Sequence, residues 1–135
     1  MIGDGELRPE IEQKIAELGL SDCVKLWGER DDVPELLQGM DVFLFPSLFE
    51  GLSVVAIEAQ AAGLPVYASD GISAEHKITD LLHFLPLSDG EETWADQVLA
   101  DLKKEPPRRD TSSELESAGY SIKKSAEILE GLYLA

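Results

Sequence analysis

The run Val42-Phe43-Leu44-Phe45 constrains this chain more than any other feature. Four consecutive apolar residues leave no polar face. As a strand the segment must be covered on both sides, which is the environment of a parallel sheet flanked by helices. Pro46-Ser47 ends the run, and Leu48 to Leu52 form a glycine-containing loop. Ser53 stands at a capping position, an apolar helical stretch runs to about Ala62, and Gly63 terminates it. Strand, loop and helix in that order make the unit at which open α/β sheets bind ligands, beyond the carboxyl ends of their strands.

The rest of the chain repeats the alternation of apolar runs and helical patterns. After the Gly3-Asp4-Gly5 turn, Leu7, Ile11, Ile15 and Leu18 lie at helical spacing, with Pro9 tolerated in the first turn and Gly19 as the stop. Val24 to Trp27 reads as a strand ending at Gly28. Asp31 or Asp32 can cap a short helix through Val33, Leu36, Leu37 and Met40. Further strands are expected at Pro65 to Ala68 and Leu82 to Leu85, and Thr93 to Lys104 is amphipathic around Trp94, Val98 and Leu102. These boundaries make 1–104 one α/β domain, 105–113 a polar, proline-containing linker, and 114–135 a segment whose last helix, Ser121 to Leu134, packs back on the domain.

Composition narrows the function. A net charge of −16, from 11 Lys and Arg against 27 Asp and Glu, repels nucleic acid and anionic lipid, so a nucleic-acid partner is rejected. No stretch is long and apolar enough for membrane insertion. Met1-Ile2-Gly3-Asp4-Gly5 has neither a basic start nor an apolar run, so no secretory signal is expected. The single cysteine, Cys23, suits a reducing cytoplasm. A pyrophosphate can still be bound, provided that local backbone dipoles hold it against the overall field.

Within Phe43 to Gly63, Gly51 lets a ligand come close to the backbone. The amides of Leu52, Ser53 and Val54 sit at a helix start, where donors are unpaired and the dipole is positive. Glu50 lies at the loop's edge. Glu58 interrupts an otherwise apolar stretch and needs donors such as sugar or ribose hydroxyls. By spacing alone, Glu50 is equally a solvated acid at a helix start and Glu58 part of an exposed stripe.

Phe49-Glu50-Gly51-Leu52-Ser53 through Glu58 resembles the E-x7-E motif of glycosyltransferase family 4. Gly3-Asp4-Gly5-Glu6-Leu7 is similar to that family's G-x-G-x-L turn, Leu26-Trp27-Gly28 to its strand ending in glycine, and Asp32-Val33-Pro34-Glu35-Leu36-Leu37 to its next helix. Asp41 to Ser47 resembles the strand that feeds the motif, and Ala59 to Val66 the continuation after it. Ser69-Asp70-Gly71-Ile72-Ser73 and Ile78-Thr79-Asp80 are similar to the bacterial exopolysaccharide and capsule branch.

The resemblance implies a Rossmann-like parallel sheet with helices on both faces, an incomplete carboxyl-terminal half of a GT-B glycosyltransferase. It implies retaining transfer of a sugar from a UDP-sugar donor to a glycan in polysaccharide biosynthesis, with no cofactor and no metal. By position, Glu50 would contact the donor sugar's hydroxyls and be the catalytic residue of the set. Gly51, Leu52 and Ser53 would offer amides to sugar and phosphates, and Glu58 would hold the ribose. Arg30, in the loop after Trp27 where the base rests in the family, would be either a base contact or a surface ion-pair partner. His76 and His83 are expected to be surface or core histidines rather than ligands.

Against the family pattern, the first two strands of the donor domain, the pyrophosphate-neutralising cations and the amino-terminal acceptor domain would all lie upstream of Met1. In the doubly wound order 3-2-1-4-5-6 the absent strands separate Val24–Trp27 from Val42–Phe45. A rearranged small sheet or an edge-covering homodimer is therefore expected, with no activity in this chain alone. The alternatives are a nucleotide-sugar-binding module paired with a separate chain, an interaction module without catalysis, and a nucleotide-sugar epimerase of shared architecture.

Overall fold

The computed structural model describes residues 1–104 and 108–134. The chain divides into two compact units, Met1–Val33 and Pro34–Ala135.

In the first unit, α1 (Arg8–Glu17) carries Pro9 in its first turn, where no intrahelical amide is lost. It ends as the sequence predicts. Gly19 adopts φ +67°, and the amides of Gly19 and Leu20 bond to Ala16 and Ile15 carbonyls at 3.0 and 2.9 Å. Val24 to Trp27 differs from its expected role. It joins no parallel sheet; Trp27 N–H bonds to Met1 O at 2.9 Å and Gly3 N–H to Gly28 O at 2.7 Å, around an antiparallel bridge between Gly3 and Gly28. Its extended backbone finds its donors and acceptors in residues 1–3, and one bridge does not make a strand.

The second unit is built on three parallel strands in chain order: β1 (Phe43–Phe45), β2 (Val66–Ser69) and β3 (Leu82–Leu85). Leu44, Tyr67 and His83 stand in register across them and so share one face. Helix α4 (Gly90–Leu102) packs on that face only at Tyr67, whose hydroxyl donates to Asp101 at 2.7 Å and whose ring stacks on His83 at 5.1 Å. Leu44, 51 % exposed, and His83 stay open to solvent, so β1 is not covered on both sides as its apolar run predicts. All four residues of β2 are buried, so its opposite face is covered too, and α3 (Val54–Ala61) contacts the same strand. The sheet keeps the sequential order of a doubly wound fold, without rearrangement.

Leu64, Val66, Ala68 and Leu82 are fully buried. Each of the larger ones contributes about 2 kcal/mol by removal from water. Leu37 of α2 (Val33–Gln38) completes the packing.

Of residues 105–113, the first three lie outside the described residues, and among the rest Arg108, Arg109 and Thr111 bond back to the unit. Arg108 donates to the carbonyls of Ala62 at 3.1 Å, Leu37 at 3.0 Å and Met40. The Thr111 hydroxyl, 1 % exposed, donates to Gln60 O at 2.8 Å. Gly63 shows how close this passage is: a side chain there would meet Arg109 O at 2.5 Å, at φ +68°. Helix α5 (Ser112–Ser117) then buries Leu115. A turn at Gly119 separates it from α6 (Ile122–Tyr133), none of whose residues is buried, so the apolar cover expected of the last helix is absent.

Candidate functional site

The loop between β1 and α3 is held from behind. Ser69, at the end of β2, donates through its hydroxyl to Ser47 O. Gly71 passes so near that a Cβ would lie 2.8 Å from Leu48 O. The Ser47 hydroxyl in turn donates to Glu50 Oε1 at 2.8 Å, its longer contact being 3.3 Å to Phe49 O. Glu50 is half-buried, with its carboxylate oriented by a neighbour three residues back.

Ahead of that support the loop is open. Leu48 and Phe49 are each 82 % exposed, and Leu52 and Val54 are exposed as well. A Cβ on Gly51 would meet nothing within 4 Å. Packing within the protein therefore does not require glycine at this position, and the space beside it is free for a ligand's approach.

Ser53 sits at the capping position of α3 with extended backbone, φ −80° and ψ 105°, as its place in the sequence predicts. Two details depart from expectation. The Ser53 hydroxyl makes no capping bond, and the Ser53 amide is already engaged, donating to His76 Nε2 at 2.8 Å. That amide is not an open donor at the helix start. The unit's own core has taken it, because a buried donor left unpaired is costly.

Glu58 is half-buried on α3. Its neighbours Ala56, Ile57, Ala59 and Gln60 are buried, which places Glu58 on the side of the helix that reaches solvent. Neither Glu50 nor Glu58 forms a salt bridge with any described residue. Both carboxylates keep acceptor capacity for hydroxyl donors.

Arg30 lies in the first unit. It makes a two-point contact with Asp32, at 2.6 and 2.5 Å, and its guanidinium stands 5.8 Å from the Trp27 ring centre. The hydrogen bonds to Asp32 raise the Arg30 pKa and lower that of Asp32. The surface ion pair, one of its two sequence-based alternatives, is formed.

Two polar residues pack with α3: Gln60, which a reading of the sequence passes over, and His76, where the core histidine, one of its two expected placements, is formed. Gln60, fully buried, accepts at Oε1 from Ile78 N–H (3.1 Å), Thr79 N–H (2.9 Å) and the Thr79 hydroxyl (3.1 Å). Its amide donates to Ala56 O at 3.0 Å and His76 O at 2.8 Å. A glutamine among alanines is a signal that could have been followed. His76 offers no such signal: its exposure of 0 % comes from a 3-10 turn, Ala74–His76, that folds under α3.

The largest described cavity, about 580 Å³, is an apolar groove lined by Leu44, Trp94 and Val98 among others, and neither acid of the loop lines it. Among the described residues no group of three or more His, Cys, Asp or Glu could hold a metal ion. No described helix is long and apolar enough to cross a membrane.

Residues 1–104 match the family described as "Glycosyl transferases group 1". The chain is 35 % identical over 135 residues to EpsF of Bacillus subtilis (strain 168), whose name calls it a glycosyltransferase; the match covers 98 % of this chain and 35 % of EpsF. It is 39 % identical over 99 residues to the Vi polysaccharide biosynthesis protein VipC/TviE of Salmonella typhi, covering 73 % of this chain and 17 % of that protein. Among solved structures, Anabaena HepE in complex with UDP superimposes with a TM-score of 0.74 at 23 % identity, over 99 % of this chain and 40 % of HepE. The chain thus spans only part of the length of each, from 17 % of VipC/TviE to 40 % of HepE.

Proposed function

The chain belongs to the group 1 glycosyl transferases, and from that premise we propose that its second unit binds the nucleotide-sugar donor of a polysaccharide-building transferase. The observation that carries this reading is the loop before α3. It has an open glycine, a carboxylate held in place by Ser47, and a second half-buried acid one helix segment later with no ion-pair partner among the described residues. Carboxylates at such positions accept hydrogen bonds from sugar hydroxyls, and backbone amides favour phosphate. The likeness to a structure solved with UDP supports a uridine nucleotide as the carrier.

In this reading Glu50 takes the donor sugar's hydroxyls and Glu58 the ribose. Gly51 and Leu52 present backbone to the sugar and phosphates. Ser53 contributes by position alone, since its amide is bonded to His76. Transfer is with retention and needs positive charge against the leaving phosphate. Arg108 and Arg109 cannot supply it from where they stand, being committed to three carbonyls and to Asp80 and Glu114. The donor half therefore binds without turning over. The facing acceptor domain, in the same polypeptide or a separate one, completes the enzyme in the cytoplasm.

Calorimetric titration of UDP into the chain tests the binding. Saturable heat that weakens in Glu58→Gln is expected, and its absence removes the donor site and leaves an interaction module. Sugar release from a UDP-sugar by the pure chain, abolished by Glu50→Ala, would show that the half is an enzyme on its own.

A further inference from the structure

We propose that His76 is a positioning residue of the donor site. It fixes the start of α3 by accepting the Ser53 amide, so that the amides on either side of Ser53 are the ones a nucleotide sugar meets. The inference rests on the donor-site reading and adds a residue that lies 23 positions further along the chain.

Its chemistry follows from the partners. Ser53 N–H can only donate, so Nε2, 2.8 Å away, must carry a lone pair. Ser73 O can only accept, so Nδ1, also at 2.8 Å, must carry the proton. The ring is neutral, in one tautomer, with both nitrogens spent, and it is fully buried.

The main chain of His76 is tied to the same helix. Gln60 Nε2 donates to His76 O at 2.8 Å from the far end of α3. Two bonds, one to the amide that opens α3 and one from a residue near its close, allow a single axial setting of the helix against the 3-10 turn. Sliding α3 by a fraction of a turn would break both.

A histidine serving only as filler would satisfy its ring on any nearby carbonyl. Here the acceptor nitrogen is spent on one of the backbone donors the loop could have turned outward, while Val54, the next residue, is 62 % exposed. The structure divides the row: Ser53 is buried and anchored, whereas Gly51, Leu52 and Val54 are exposed residues.

The test uses the full chain, labelled with ¹⁵N, with UDP as the probe. A scalar coupling across the hydrogen bond, between the Ser53 amide nitrogen and His76 Nε2, is expected; its absence in the folded chain overturns the proposal. In calorimetry, His76→Ala and His76→Asn should weaken UDP binding about tenfold. His76→Gln, whose side-chain oxygen reaches about as far as Nε2, should return to within about threefold of the unmutated chain. That rescue is what a purely structural role would not produce, since Gln and Asn differ in reach rather than polarity. If His76→Ala fails to fold, the Gln and Asn pair and the coupling still decide. UDP binding by the unmutated chain together with equal binding by His76→Asn sinks this inference alone. An unmutated chain that does not bind UDP sinks the donor-site reading and this inference with it.

Discussion

The two sides of α3 are built to opposite specifications. Behind it, Ala56, Ala59, Gln60, His76, Thr79 and Thr111 are buried, and Gln60 alone makes five side-chain hydrogen bonds. In front, Leu48, Phe49, Leu52 and Val54 stand exposed, and a Cβ on Gly51 would meet nothing within 4 Å. The difference teaches that rigidity and openness are separated across one helix. The back holds the helix start in a single geometry, which lets the front remain unpaired without collapsing. A site meant to receive a ligand needs both, because groups ordered before binding do not have to be ordered during it.

Substitutions that respect or ignore that division break the comparison most directly. Gln60→Leu removes the acceptor of three donors at once and should cost roughly 3–5 kcal/mol in denaturant unfolding, more than any change in the loop. Gly63→Ala comes next, at about 2–4 kcal/mol, because a methyl group would meet Arg109 O at 2.5 Å in a left-handed conformation. Its counterpart in front, Gly51→Ala, should leave the unfolding midpoint within about 0.5 kcal/mol while weakening UDP titration. Equal stability losses at the two glycines would erase the distinction.

Glu50→Gln should be almost silent in stability, yet weaken a UDP-sugar about tenfold with little change for UDP itself. Equal losses for both ligands would move Glu50 from the sugar to the nucleotide.

The smallest effect concerns acid. Hydrogen bonds from Arg109 hold the carboxyl groups of Asp80 and Glu114 below their ordinary values. Folded pKa values below the unfolded ones mean that this stability is present above about pH 4 and is lost as pH falls through the folded values. Asp80 is 84 % exposed, so solvent and salt screen the contribution. Unfolding midpoints compared between pH 6 and pH 3 should fall less steeply in Arg109→Gln, and added salt should narrow the gap.

Much of this was legible in residue order. The short, mostly apolar runs at Phe43, Val66 and Leu82 form strands as their patterns predict, and Gly19 and Gly63 end helices because both adopt positive φ. The motif loop was legible through its glycine and its two acids. Val24 to Trp27 misled because alternation says that a segment is extended without naming its neighbour, and its neighbour proved to be residues 1–3. The strap from Arg108 to Thr111 looked like a linker because polar residues normally face water; Arg108 and Thr111 instead donate to the carbonyls of Leu37 and Gln60.

What the sequence determined alone is local and periodic: which segments are strands, where helices stop, and which carboxylates flank a glycine. What only the tertiary structure decided is which donors remain free. Ser53 illustrates the boundary, since its position at a helix start can be read from spacing, whereas the loss of its amide to His76 depends on a ring brought back from 23 residues away. Hydrogen bonds between distant segments follow from packing, and no pattern along the chain records them.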